Sequence, residues 1–138
     1  MPAKVFVDTN IWLYALVSHE DDPKHVQAAS FVLALQRPLI NSQVIREASS
    51  NLLKKAGIAE AKLRTIIEDW YRDCDIYPSS AVQHTLASKL RETYSFSYWD
   101  SLIVAAALDA GCSTLFSEDM QHGQNIENRL TIINPFLL

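Results

Sequence analysis

An α/β sandwich around a mostly parallel sheet is the fold class that this chain predicts, and three observations predict it. Short apolar runs of strand length alternate along the chain with longer stretches whose apolar residues recur at helical spacing. The 138 residues suit one domain spanning 1–138, with no internal repeat and no linker. The composition, 49% hydrophobic and 20% charged with only 3 Gly and 5 Pro, is that of a packed chain rather than a disordered one.

The elements follow in order. Lys4-Val5-Phe6-Val7 reads as a buried strand, after which Asp8-Thr9-Asn10 supplies capping residues and Ile11 to Val17 a short helix. His19-Glu20-Asp21-Asp22 reads as a polar loop; Pro23 suits a first helical turn, and the apolar residues from Val26 to Leu35 carry a helix to a stop at Arg37-Pro38. Leu39-Ile40 is a short strand. Asn41 and Ser42 can cap the next helix, whose stripe is Val44, Ile45, Ala48 and Leu52 and whose end is Gly57. Glu47 sits at the border of that stripe, beside Asn51, while Arg46 points away from it.

Ala59 to Trp70 is a further helix with Leu63, Ile66, Ile67 and Trp70 at core spacing, and Asp75-Ile76-Tyr77-Pro78 a short strand. Ser80 and Gln83 match a capping box for a helix running towards Thr93. Tyr98 to Ala110 is apolar on every face, so this helix is expected to be wholly buried, with Gly111 as its C-cap. Thr114 to Ser117 is the next strand, Glu118-Asp119-Met120 its exit loop, and Leu130 to Ile133 a final strand before Pro135.

Several function classes recede on composition alone. The chain opens on an apolar run too short for a signal peptide and holds none of membrane-spanning length, so a cytoplasmic protein without a membrane partner is expected. Cys74 and Cys112 form no C-x-x-C pair, and His19, His25, His84 and His122 lack the i, i+4 spacing of a zinc helix. With 12 basic and 16 acidic residues the net charge is −4, the wrong sign for a broad cationic nucleic-acid surface. Arg46, Lys54, Lys55, Lys62 and Arg64 form a local basic cluster that reads first as a solvated helix face and second as a phosphate track.

Four acids stand out by position. Asp8 and Asp119 each follow a strand, Asp100 opens the apolar helix, and Glu47 lies on an apolar border. Each has an ordinary explanation when taken singly: a cap in Asp-Thr-Asn, an exit-loop acid, the capping box Ser97-Tyr98-Trp99-Asp100, and a solvated residue paired with Asn51. Together they point to one cleft, because ligands of open parallel sheets bind beyond the carboxyl ends of the strands. Two like charges at about 4 Å cost roughly 4 kcal/mol at an effective dielectric of 20, and a divalent cation is the natural remedy. Such a site suits phosphate chemistry.

The blocks Val5-Phe6-Val7-Asp8-Thr9-Asn10, Ser42-Gln43-Val44-Ile45-Arg46-Glu47, Tyr98-Trp99-Asp100-Ser101-Leu102-Ile103 and Phe116-Ser117-Glu118-Asp119-Met120-Gln121-His122-Gly123 resemble the PIN-domain family, above all the VapC-like toxins of bacterial toxin–antitoxin pairs. The resemblance runs through essentially the whole chain in the family's order. It implies a three-layer α/β/α sandwich with a five-stranded parallel sheet ordered 3-2-1-4-5, and an endoribonuclease dependent on Mg²⁺ or Mn²⁺. Asp8, Glu47, Asp100 and Asp119 match the family's acidic quartet as catalytic and metal positions, and Asn10 and Ser117 its supporting polar positions. Glu118 stands beside Asp119, so both carboxylates remain candidates for that place. A homodimer, an RNA substrate and a cognate antitoxin covering the site are implied as partners.

Other classes fit less well. A haloacid-dehalogenase-like phosphatase wants a second Asp two residues after the first, where this chain has Asn10. A receiver-like domain wants an acidic pair before its phosphorylated Asp, and a flap-type nuclease is a much longer chain. A PIN nuclease of RNA processing and a non-enzymatic RNA-binding scaffold stay open at this stage.

Overall fold

The computed structural model describes residues 3–17 and 22–138. Six strands, β1 (Val5–Val7), β2 (Leu39–Ile40), β3 (Asp75–Ile76), β4 (Thr114–Phe116), β5 (Asn125–Ile126) and β6 (Leu130–Ile133), form one sheet in the order β3-β2-β1-β4-β6-β5. Every neighbouring pair is parallel except β5 and β6, which make an antiparallel hairpin. The five strands expected from the sequence are present in the order 3-2-1-4-5. The sixth, β5, is an edge strand of two residues that hydrophobic periodicity does not reveal, and Glu127 and Asn128 turn its hairpin with φ of 55° and 56°.

Among the described residues six α-helices cover the sheet: α1 (Thr9–Leu16), α2 (Pro23–Ala34), α3 (Ser42–Lys54), α4 (Glu60–Asp73), α5 (Ala81–Thr93) and α6 (Tyr98–Asp109). Helices α1 to α4 link β1, β2 and β3, and α5 and α6 link β3 to β4; with the right-handed crossovers usual for parallel strands, this strand order sends the two groups to opposite faces. One continuous core runs between the layers, from Phe6, Val7 and Ile40 through Ile103 and Leu115 to Ile132, all at most 2% exposed. Trp12 of α1 meets Trp70 of α4 edge-to-face with ring centres 6.1 Å apart, which fastens the outer helices together. Among the described residues no helix is long and apolar enough to cross a membrane.

Three local expectations change. The helix α2 ends at Ala34 rather than Arg37, and Arg37 adopts φ of 46° while its guanidinium bonds Asp75 Oδ1 and the carbonyls of Arg72 and Cys74. Helix α6 is buried at Ser101 and from Ile103 to Leu108, but its first turn is not, because Tyr98 and Trp99 project into solvent. The capping box of α5 does not form: Ser80 holds the N-cap position without a side-chain bond. Gln83 turns inward instead and donates from Nε2 to the Pro78 carbonyl at 2.8 Å and to Asp109 Oδ2 at 3.1 Å. The Gln83 side chain is itself buried, and its amide needs these acceptors more than the exposed start of α5 needs a cap, since an unsatisfied buried polar group costs more than an exposed one. Of the polar loop read at His19–Asp22, only Asp22 is among the described residues, and it caps α2 by accepting from the Lys24 N–H at 2.9 Å.

This arrangement sets a stability test. Gln83→Ala is expected to lower unfolding free energy by about 1 to 3 kcal/mol by removing both hydrogen bonds and the packing of a buried side chain, whereas Ser80→Ala should stay within about 0.5 kcal/mol. Urea midpoints measure both, and equal costs for the two variants would contradict the inward placement of Gln83.

Candidate active site

The carboxyl edge of the sheet gathers the acids because parallel strands all leave the sheet at that edge. The β1–β4 ladder pairs Val7 with Phe116, and the Asp8 N–H extends it by donating to the Phe116 carbonyl at 2.9 Å. Asp8 and Ser117 therefore emerge side by side at the end of the central strands. From β1 the sheet grows towards β2 on one side and β4 on the other, which is the switch point in strand order.

Asp8 is buried and doubly bonded. Its Oδ1 accepts from the Thr9 N–H at 2.8 Å, and its Oδ2 accepts from Ser117 Oγ at 3.0 Å. Ser117 is fully buried, and its own N–H is fixed to the Ile133 carbonyl at 3.0 Å. Burial pushes the Asp8 carboxyl up to about 6; those two bonds pull against the rise, and the nearby charges of Asp100 and Glu47 add to it.

Glu47 arrives from α3, whose N-terminus is capped by Asn41 Oδ1 accepting from the Val44 N–H at 3.1 Å. Its Oε2 accepts from Thr9 Oγ1 at 3.0 Å and its Oε1 from Gln43 Nε2, also at 3.0 Å. The expected pairing with Asn51 takes another form, because Asn51 Nδ2 donates to the Glu47 backbone carbonyl at 2.9 Å. The carboxylate is thus left to face the cleft.

Asp100 stands in the first turn of α6, where its N–H donates to Ser97 Oγ at 3.1 Å, so the cap and the cleft position coexist. Partial burial raises its pKa, with Asp119 and Glu47 contributing by repulsion. Asp119 accepts a hydrogen bond from Asn10 Nδ2, and burial followed by the charge of Glu118 raises its pKa in turn. Glu118 points elsewhere: its Oε2 meets Lys24 Nζ at 2.5 Å, and that ammonium also lies over the Tyr14 ring at 5.0 Å. Of the two neighbouring acids, Asp119 is the one tied to the Asp8-Thr9-Asn10 turn.

All four predicted acids and both supporting residues thus share one neighbourhood. Among the described residues no three Asp, Glu, His or Cys side chains converge closely enough to enclose an ion. The donor set nonetheless fits a hard cation: it is all carboxylate oxygen, and none of the four acids forms an ion pair with a described basic side chain. Two grooves flank the acids. One of about 770 Å³ is lined by Gln43, Arg46, Glu47, His84 and Trp99, the other of about 420 Å³ by Asn10, Tyr14, Lys55 and Asp119, and Asn51 borders both.

The PIN domain family model matches residues 5–124, which includes all four acids. The chain belongs to the PIN domain family. Among solved structures this PIN domain is similar to VapC20 of Mycobacterium tuberculosis, described as a sarcin–ricin loop cleaving toxin, with 17% identity and a TM-score of 0.67 over 84% of this chain and 90% of that one. It is also similar to VapBC2 of Rickettsia felis, bound to a DNA fragment from its promoter, with 18% identity and a TM-score of 0.66 over 94% and 98%. A third is FitAcB of Neisseria gonorrhoeae, with 12% identity and a TM-score of 0.63 over 97% and 99%. At such identities the likeness is one of fold. Comparison with curated protein sequences gives no match.

Three residues of the PIN site are not visible as site residues in the sequence. Thr9 bridges Asp8 to Glu47, Gln43 orients Glu47, and Lys24 withdraws Glu118. Gln43 leaves a usable trace in its i, i+4 spacing to Glu47. Thr9 is overshadowed by its capping role, and Lys24 lies 94 positions from its partner.

The electrostatics predict a pH signature in metal-free buffer. Folding raises the Asp8 pKa from near 4 to about 6, so the folded state holds the proton more tightly and this contribution to stability is lost as pH rises from about 4 through 6. Asp8→Asn keeps an acceptor for the Thr9 N–H and is expected to be more stable than wild type by about 2 kcal/mol at pH 7.5, the difference shrinking below pH 5. Denaturant unfolding across pH measures it; a gap that does not vary with pH would sink the assignment.

Proposed function

We propose that the chain is a single-domain, metal-dependent endoribonuclease, the toxin of a toxin–antitoxin pair, acting in the cytoplasm as a homodimer. The observation that carries the reading is the acidic quartet at the carboxyl edge, with Asp8 buried among like charges and no described basic side chain paired to any of the four. The description of VapC20 as a toxin that cleaves the sarcin–ricin loop, and the VapBC2 and FitAcB structures, support the toxin reading and a protein antitoxin as partner.

In this reading Asp8 and Asp100 hold the principal Mg²⁺ or Mn²⁺, Glu47 orients the attacking water, and Asp119 completes the site. When bound, the cation supplies a more acidic water and neutralises charge on the phosphodiester. Ser117 and Thr9 keep the Asp8 carboxylate in place, Thr9 and Gln43 fix Glu47, and Asn10 fixes Asp119. No side-chain nucleophile is needed. Glu118, engaged with Lys24, takes no part in holding the cation.

The test is cleavage of total RNA by purified chain with Mg²⁺, Mn²⁺ or chelator. Asp8→Asn and Asp100→Asn are each expected to lower the rate at least about a hundredfold while the proteins stay folded, and Glu118→Gln to lower it by less than about threefold. Wild-type cleavage by either Asn variant, or full activity in chelator, would refute the proposal.

A further inference from the structure

The groove beside Glu47 carries the one tryptophan of the three that is exposed. Trp99 lies on its wall and is 61% exposed, whereas Trp12 and Trp70 are 6% and 3% exposed. Leaving a Trp of that size in water forgoes the burial that its neighbours in the chain obtain, which marks it as a contact residue.

The exposed ring is also held in place. The Trp99 carbonyl accepts from Gln43 Nε2 at 3.2 Å, the same amide that bonds Glu47 Oε1. Its ring meets Tyr98 edge-to-face with centres 5.1 Å apart, and the Arg91 guanidinium lies over Tyr98 at 4.9 Å while bonding Ser101 Oγ at 2.7 Å. Trp99 therefore presents a preorganised aromatic surface one residue from Asp100 and one shared hydrogen-bond partner from Glu47. On a chain of net charge −4, Glu47 is the only acid among the described residues that line this groove, and Arg46 and His84 line it as well.

From these features we infer that the groove is a subsite for an unpaired base of single-stranded RNA next to the phosphate being cleaved, with Trp99 as the stacking face and Arg46 meeting the backbone phosphate. The inference rests on the nuclease reading above. An aromatic face beside a cationic side chain is the pairing that single strands use, and a base inside a duplex offers no free face for it. The groove volume of about 770 Å³ is within the range of small-ligand sites and accommodates a nucleotide.

The experiment titrates single-stranded RNA of mixed sequence, and the same sequence as a duplex, into the full chain carrying Asp8→Asn. Trp99 is the water-exposed indole, so stacking is expected to quench tryptophan fluorescence with the single strand and far less with the duplex. Adding Trp99→Ala should weaken single-strand binding about tenfold by anisotropy, and Trp99→Phe should retain most of it. In an otherwise wild-type chain, Trp99→Ala should raise KM about tenfold, with a smaller change in kcat.

Equal single-strand affinity with and without Trp99 overturns the inference, as does equal quenching by duplex. Fluorescence that responds to protein concentration but not to RNA also overturns it, since the face would then be a contact between copies. The two readings fail separately: a chain that cuts RNA with unchanged KM in Trp99→Ala keeps the nuclease and loses the subsite, and one that stacks RNA without cutting it does the reverse.

Discussion

Asp8 leaves the central strand with both carboxylate oxygens already bonded, one to the Thr9 N–H and one to Ser117 Oγ, yet burial still pushes its pKa up to about 6. Hydrogen bonds of this kind ordinarily stabilise the ionised form, so desolvation outweighs them here. The neighbouring charges of Asp100 and Glu47 add to the cost. The surrounding structure is arranged around that carboxylate. The β1–β4 register delivers Ser117 to it, the cap of α1 delivers the Thr9 N–H, and the Thr9 hydroxyl links it to Glu47 on α3. An acid at this position lowers the stability of the bare fold, a cost that the proposed bound cation would offset.

The same division of roles separates Glu118 from Asp119. Adjacent residues in an exit loop leave in different directions, and the ion pair with Lys24 at 2.5 Å draws Glu118 towards α2. Asp119 stays with Asn10 in the turn that follows β1. One lysine thereby reduces the negative charge crowding the cleft without neutralising any of the four acids within it. On the far side, Gln43 ties Glu47 and the Trp99 backbone together, so α3 and the start of α6 form one wall.

Much of this was legible in the sequence because it depends on local periodicity. Strand β1, the buried body of α6 and the capping residues Asp8, Asn41 and Ser97 each write a pattern over a few consecutive residues, and the strand-ending acids follow from them. What escaped depends on contacts across long separations or on competition between partners. Gln83 satisfies a capping motif yet spends its amide on Asp109, 26 positions away, because its own side chain is buried on that side. The exposed first turn of α6 is invisible to composition, since Tyr98 and Trp99 are apolar enough to read as core. The edge strand β5 is too short to carry a period. Within the site, the acids could be named, but Thr9 and Gln43 had ordinary local explanations that concealed their part in holding Glu47.

The central claim is that the four carboxylates form one cation site. The most direct test is the melting temperature of chelator-stripped protein as Mg²⁺ or Mn²⁺ is added, in wild type and Asp8→Asn side by side. A ligand that binds only the folded state adds about 2.7 kcal/mol at a hundredfold excess over its Kd. The account predicts a saturable rise of several degrees in wild type that is largely lost in Asp8→Asn, with monovalent salt at equal ionic strength unable to reproduce it. An unchanged wild-type melting temperature, or an equal rise in both proteins, would contradict it.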